Sequence, residues 1–248
     1  MVYTDQRWTL NKAAQQLQQP NFPTLVKKFL YQKLYPNYEI SFSNALKNSY
    51  LEIYGRIHIR NSAIATFRAP SDLSGTYGMR REHIRAISSW RGGPARYDCV
   101  LVNSDPDIEG TRGFEVARVF LFFSFQHQNE TYPCALIQWY SYVGIQPDED
   151  TGLWKIEPDT EDDGNPRLAV IHLDTIFRAV HLIPAYCTAE FISRDITMHS
   201  SLDSFNTFYV NRFADHHLFA NLSWRSRVQL CFCYSLPVSL PYRKAYVR

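Results

Sequence analysis

A chain of 248 residues with 45% hydrophobic and 20% charged residues can bury a sizeable core, which excludes a disordered segment and leaves one large domain or two small ones. Net charge is only +2, but it is segregated: positions 1–97 hold 14 Lys/Arg against 5 Asp/Glu, positions 98–220 hold 7 against 19, and positions 221–248 hold 5 against none. The longest apolar run, VARVFLFFSF, is far shorter than the ~20 residues of a membrane span and is broken by Arg118, the first residues are too polar for a signal peptide, and five scattered cysteines without a CxxC pair fit a reduced, intracellular compartment better than a disulfide framework or zinc finger.

NKAAQQLQQ, ended by Pro20, reads as a helix. FPTLVKKFLYQKLYP follows as an amphipathic helix, with Val26, Phe29, Leu30 and Leu34 at helical spacing and Lys27, Lys28 and Lys33 on the solvated side. The period then changes. LEIYGRIHIR alternates apolar and polar residues, as a half-buried strand kinked at Gly55 does. PSDLSGTYGMRREHIRAISSWRGGPAR reads as loop, with at most a short helical piece from Arg81 to Ile87. RYDCVLVN is a strand, and EVARVFLFFSF and YPCALIQWYSYVG are two apolar strands joined as a hairpin by HQNET. LWKIEP is strand-like, TEDDGNPR is an acidic turn, and LAVIHLD and TIFRAVHLIP continue the apolar series. DSFNTFYVNRFADHHLF fits strand or helix equally on periodicity.

The expected fold class is α+β leaning mostly β: a twisted antiparallel sheet or small barrel, preceded by a short helical, basic N-terminal part. The expected divisions are a basic N-terminal part at 1–96, a β-rich domain at 97–222 and a basic tail at 223–248. The tail lacks acids and any clear period, and is expected to be a poorly ordered end.

Four chemistries suggest themselves. Arg80, Arg81, Arg85, Arg91 and Arg96 surround Trp90 in sequence, and arginines interleaved with an aromatic can grip phosphates and stack on bases; a solvated linker has the same composition. Trp139, Tyr140, Tyr142 and Trp154 lie near the acidic PDEDTG loop, as an aromatic cage for a methyl-lysine or basic tail would require; core aromatics give the same pattern. His172 and Asp174 form a His-x-Asp pair on one strand face, and with His216 they would complete a 2-His-1-carboxylate site for non-haem iron; structural polar residues in an apolar strand are the simpler account. Asp98, Asp105, Asp107, Asp148, Glu149 and Asp150 supply carboxylates of the kind a two-metal nuclease uses, but all except Asp98 fall in turns. No GxSxG occurs and no Cys has a His in a recognisable context, so nucleophilic catalysis has no support, and Cys99 and Cys134 are expected in the core.

RYDCVLVN, GFEVARVFLFFSF, YPCALIQWYS, PDEDTGLWKIEPD, VIHLDTIFRAVHLIPAY and SLDSFNTFYVNRFADHHLF, in that order, resemble the C-terminal region of Plavaka-type transposase proteins, the CACTA-like mobile elements of mushroom-forming fungi. With the stretch from FPTLVKKFLYQKLYP to GMRREHIR, the resemblance covers about residues 22–220. It implies an accessory domain whose DDE-type nuclease core lies upstream of the matched region, a nuclear location, and no catalytic residue within the match. The order of IQWYS, the acidic loop, IHLDTIFRAVHLIP and FYVNRF is also similar in pattern to bromo-adjacent homology (BAH) domains of chromatin proteins. The resulting expectation is a non-catalytic, transposon-derived module without a cofactor or membrane partner, binding DNA or a chromatin or other protein partner. The alternative is a metal-dependent enzyme, an oxygenase or a remnant nuclease.

Overall fold

A computed structural model describes residues 6–36, 51, 53, 55–69, 79–104, 113–186, 195–214 and 229–231. It is mostly β, a curled antiparallel sheet forming a half-barrel. The fold is organised by one long hairpin. Its strands, β7 (Phe114–His127) and β8 (Glu130–Tyr142), pair along nearly their whole length. They are joined by Gln128 and Asn129, both at positive φ (49° and 66°). That left-handed pair is the two-residue turn whose twist matches the strands it connects.

Each long strand has two successive neighbours on its outer edge. The first half of β7 pairs with β6 (Cys99–Asn103), and its second half with β2 (Ile57–Arg60), which carries β1 (Gln6–Trp8) on its far side. The first half of β8 pairs with β10 (Leu168–His172), its end with β9 (Lys155–Pro158). Beyond these lie β11 (Ile176–Val180) on β6, β13 (Phe208–Val210) on β9, and β12 (Leu182–Pro184) on β13. A second sheet holds β3 (Ser62–Arg68), β4 (Met79–Ile87), β5 (Arg96–Tyr97) and β14 (Gln229–Cys231) in the order β14-β3-β4-β5. The MRREHIRAI segment, expected as loop with a helical piece, is therefore a nine-residue strand. Strand pairing crosses the expected division after residue 96, because β2 and β1 belong to the large sheet, and the short tail strand β14 pairs with β3.

The hairpin is nearly continuously apolar because both its faces are covered. On one face, Phe123, Phe125, Cys134 and Leu136 pack beneath helices α1 (Leu10–Gln16), through Ala13 and Ala14, and α2 (Phe22–Leu34), through Phe22, Val26, Phe29 and Leu30. Phe22 meets Phe123 edge-on, with ring centroids 5.3 Å apart, the geometry aromatic quadrupoles favour. The opposite face, with Ala117, Val119, Phe122, Ala135 and Ile137, is covered by Ala63, Ala65, Ile84 and Ala86 of the small sheet. A third cluster fills the curl around Tyr140, Ile156, Phe177 and Phe208. Between Val119 and Leu121 the register shifts by one residue, a bulge that bends β7 and turns Phe120 out of the ladder.

Two buried arginines fasten the layers. Arg178 on β11 lies 4.1 Å from the Phe67 ring centroid and donates to Glu82 Oε2 at 3.1 Å. Glu82 Oε1 accepts from the main-chain N–H of Ala179 at 2.7 Å, so one carboxylate ties β4 to β11. Arg118 on β7 forms a bidentate pair with Asp203 of the short helix α3 (Ser201–Ser204). Burial disfavours the Arg118 charge, but the Asp203 partner outweighs it and the pKa is raised.

Candidate nucleic-acid interface

Pleating decides which arginines of the small sheet meet. On β4 the inward positions are Glu82, Ile84 and Ala86, and the outward positions are Arg81, His83 and Arg85. Arg96 on β5 pairs opposite Ile87, an outward position, while Tyr97 pairs opposite the inward Ala86. Arg81, Arg85 and Arg96 therefore share the outer face, with Ser62, Ile64 and Thr66 of β3 opposite positions 85, 83 and 81. Arg80 has the other parity and is not part of the group.

The loop between β4 and β5 brings Trp90 onto this face. Its ends are clamped by Trp90 N–H donating to Pro94 O and Gly93 N–H donating to Trp90 O, both at 2.9 Å. Ser89 Oγ–H also donates to Gly93 O at 2.9 Å. So tight a reversal needs left-handed backbone, and Arg91 (φ 54°) and Gly92 (φ 78°) provide it. The result gathers three cations around one indole: the guanidinium carbons of Arg85, Arg91 and Arg96 lie 3.9, 5.2 and 5.5 Å from the Trp90 ring. Each contact is worth about 0.5–1 kcal/mol at a solvent-facing site.

Asp98 holds the cluster in place. Its carboxylate accepts from Arg96 Nε at 2.8 Å and from the Arg85 main-chain N–H at 2.9 Å. Its own N–H donates to Arg85 O, and its O accepts from Val119 N–H, so the residue joins the small sheet to the large one. Asp98 is thus occupied as a structural anchor rather than poised as one of several metal-binding carboxylates. Sequence reading did not assign it this role; the signal was the Arg96-x-Asp98 spacing, which puts both side chains near one another at a strand end.

The four aromatics near the acidic loop do not converge. Trp139 lies with the second core cluster, whereas Tyr140 and Tyr142 point to the opposite face of β8 and pack with the third. Tyr142 meets Trp154 edge-on at 5.3 Å and its hydroxyl donates to Phe114 O at 3.0 Å. Tyr140 is 4% exposed, and burial raises the pKa of both tyrosines. These rings build the core; they do not enclose an aromatic cage.

His172 and Asp174 do not share a strand face. The strand ends at His172, and Leu173–Thr175 form a 3-10 turn. His172 Nδ1 accepts from the Asp174 N–H at 3.3 Å, capping that turn, and its ring stacks on Phe29 at 6.5 Å. Burial lowers the His172 pKa, an effect Lys33 adds to and Asp174 opposes. His216 lies outside the described residues. Among the described residues no group of three His, Cys, Asp or Glu could hold a metal ion.

Asp148, Cys99 and Cys134 are engaged or shielded. Asp148 accepts from Thr151 N–H and Oγ1–H at 3.0 and 2.8 Å, which holds its carboxyl below the usual range, and it pairs with Lys155 at 3.4 Å. Asp105 and Asp107 lie outside the described residues. The buried Cys99 thiol is pushed up to about 12 by desolvation, and burial likewise raises Cys134, so neither thiol is a ready nucleophile. Among the described residues no helix is long and apolar enough to cross a membrane. Comparison with protein-family models, with curated proteins and with solved structures finds no match to this chain.

Proposed function

We propose that this chain is a non-catalytic DNA-binding module, of the accessory, mobile-element kind that its motif order resembles, and that it acts in the nucleus. The observation that carries this reading is the convergence of Arg85, Arg91 and Arg96 on Trp90, on an outer strand face that also presents Arg81. One carboxylate, Asp98, balances part of that charge and fixes the geometry. Guanidinium groups in this setting suit phosphate oxygens, and an indole among them offers a face on which a base can stack. The acidic middle of the sequence restricts where a polyanion can approach, so the basic face confers orientation as well as attraction.

The test is DNA binding by purified protein across a salt series. Affinity is expected to fall linearly on a log–log plot, with a slope of about −0.7 to −0.9 per phosphate contacted. Arg81→Ala and Arg91→Ala should each reduce the slope by about 1. Absence of binding at low salt, or binding indifferent to salt and to both substitutions, would refute the reading.

A further inference from the structure

A cavity of about 240 Å³ opens beside the cationic loop, where the small sheet meets the edge of the large one. Its floor is apolar, formed by the buried Ile59, Ala86 and Leu121. Its walls are three half-buried aromatics from three different strands or junctions, Trp8, Tyr97 and Phe120. Phe120 is available because the β7 bulge turns it out of the ladder, and its ring contacts Tyr97 at 5.3 Å. The rim carries the exposed carboxamides of Gln6, Gln16 and Asn61, whose side chains make no hydrogen bond among the described residues. Among the described residues no Asp, Glu, Lys, Arg or His lines the cavity.

Those features narrow the occupant. A pocket without a charged lining group favours a neutral ligand, since an ion would lose its hydration without a partner. The volume lies below the ~300–1,000 Å³ of pockets that take drug-sized molecules, so one ring system fits. Aromatic walls offer stacking faces, and carboxamides present the paired donor and acceptor that read the edge of a base. Ser88 and Ser89 also line the cavity, and the next residue is Trp90. The pocket and the arginine cluster therefore lie on consecutive residues of one loop.

We propose that this cavity is a subsite for a single unpaired nucleobase, belonging to a strand whose phosphates meet the Arg91 side of the loop. The proposal rests on the reading of the Trp90 cluster as a DNA contact and adds that the bound DNA is single-stranded or locally opened. Such a strand leaves its base faces and edges free, whereas a paired duplex hides both from a cavity of this size.

The experiment compares a single-stranded oligonucleotide with one of the same length in which every base is replaced by an abasic site, the phosphodiester chain being retained. Full-length protein should bind the intact strand about tenfold more tightly or better, the gain expected from stacking ~1–3 kcal/mol per base. Replacing both exposed carboxamides (Gln16→Ala with Asn61→Ala) should reduce that preference severalfold while leaving the circular dichroism spectrum and the salt slope unchanged. Trp8→Ala should abolish most of it. Equal, salt-dependent binding of intact and abasic strands would overturn the base subsite and leave the arginine cluster standing. No binding of either strand at low salt would overturn both. A preference that persists undiminished in the carboxamide and Trp8 variants would place base recognition elsewhere and overturn the subsite.

Discussion

Arginine serves two opposite ends in this molecule. Inside, Arg118 and Arg178 are each nearly buried, each matched to one carboxylate, and each joins elements far apart in sequence. Outside, Arg85, Arg91 and Arg96 crowd around one indole, and Asp98 binds the Arg96 side chain and the Arg85 main chain. The interior pairs hold separate elements in register, because a buried charge is tolerated only when its partner is fixed. The exterior group places like charges together, a repulsion that Trp90 and Asp98 offset in part and that a bound phosphate, on the proposed reading, would offset further. The same side chain is thus a fastener in the interior and, on the proposed reading, a contact surface on the exterior.

Three substitutions would break or sharpen that contrast. Arg178→Ala leaves Glu82 with only its main-chain donor and removes the cover over Phe67; the unfolding free energy in urea should fall by about 3 kcal/mol, the low end for a broken buried pair because Glu82 is partly exposed. A loss under about 1 kcal/mol would place Arg178 among the surface arginines. Trp90→Ala releases three cation–π contacts from a solvent-facing loop and should cost about 2 kcal/mol by the same measurement, together with most of the salt-dependent DNA affinity. Unchanged affinity would show that the indole only props the loop. Arg91→Ala should alter stability by less than about 0.5 kcal/mol while lowering the salt slope; a large stability change would make this arginine a fastener too.

The smallest effect concerns pH. Burial depresses the folded-state pKa of His172 below its ordinary value of about 6.5. Over that interval the unfolded chain binds more protons than the folded one, so stability is full above about pH 6.5 and declines as pH falls through the folded-state pKa. The melting temperature should drop between pH 7.5 and pH 5.5, and should drop less in His172→Gln. An identical drop in both proteins would show that other groups set the acid limit.

The sequence made some of this visible and hid the rest for physical reasons. The hairpin was legible because two apolar runs flank a short polar turn, and the helices because Val26, Phe29, Leu30 and Leu34 keep a helical period up to Pro36. LEIYGRIHIR was legible from alternation, and Ile57 and Ile59 are buried as it requires. MRREHIRAI was not, because its first residues are exposed on both faces and its inward polar residue, Glu82, is held by a partner nearly a hundred positions away. The His-x-Asp pair misled because strand parity was extended two residues too far; a histidine that caps a turn looks, in sequence, like one that ends a strand. Trp90 and its arginines stand together in the sequence, but their convergence depends on strand parity and a left-handed loop, neither of which the loop-like composition of this stretch reveals. The cavity was invisible because Trp8, Tyr97 and Phe120 come from distant segments and meet only through the bulge.

The two-residue turn at Gln128–Asn129 has a kinetic consequence. Closing the tip of β7 and β8 confines only those two residues, so the entropy lost before the first cross-strand contact forms is small. Attaching β2, β6, β10 or β13 means closing far longer stretches of chain. The hairpin is therefore expected to assemble first and to serve as the template onto which both sheet edges and both helices dock. Pulse-labelled amide exchange during refolding should find β7 and β8 protected ahead of β1 and β12, whereas simultaneous protection would mean that the hairpin does not form ahead of its neighbours.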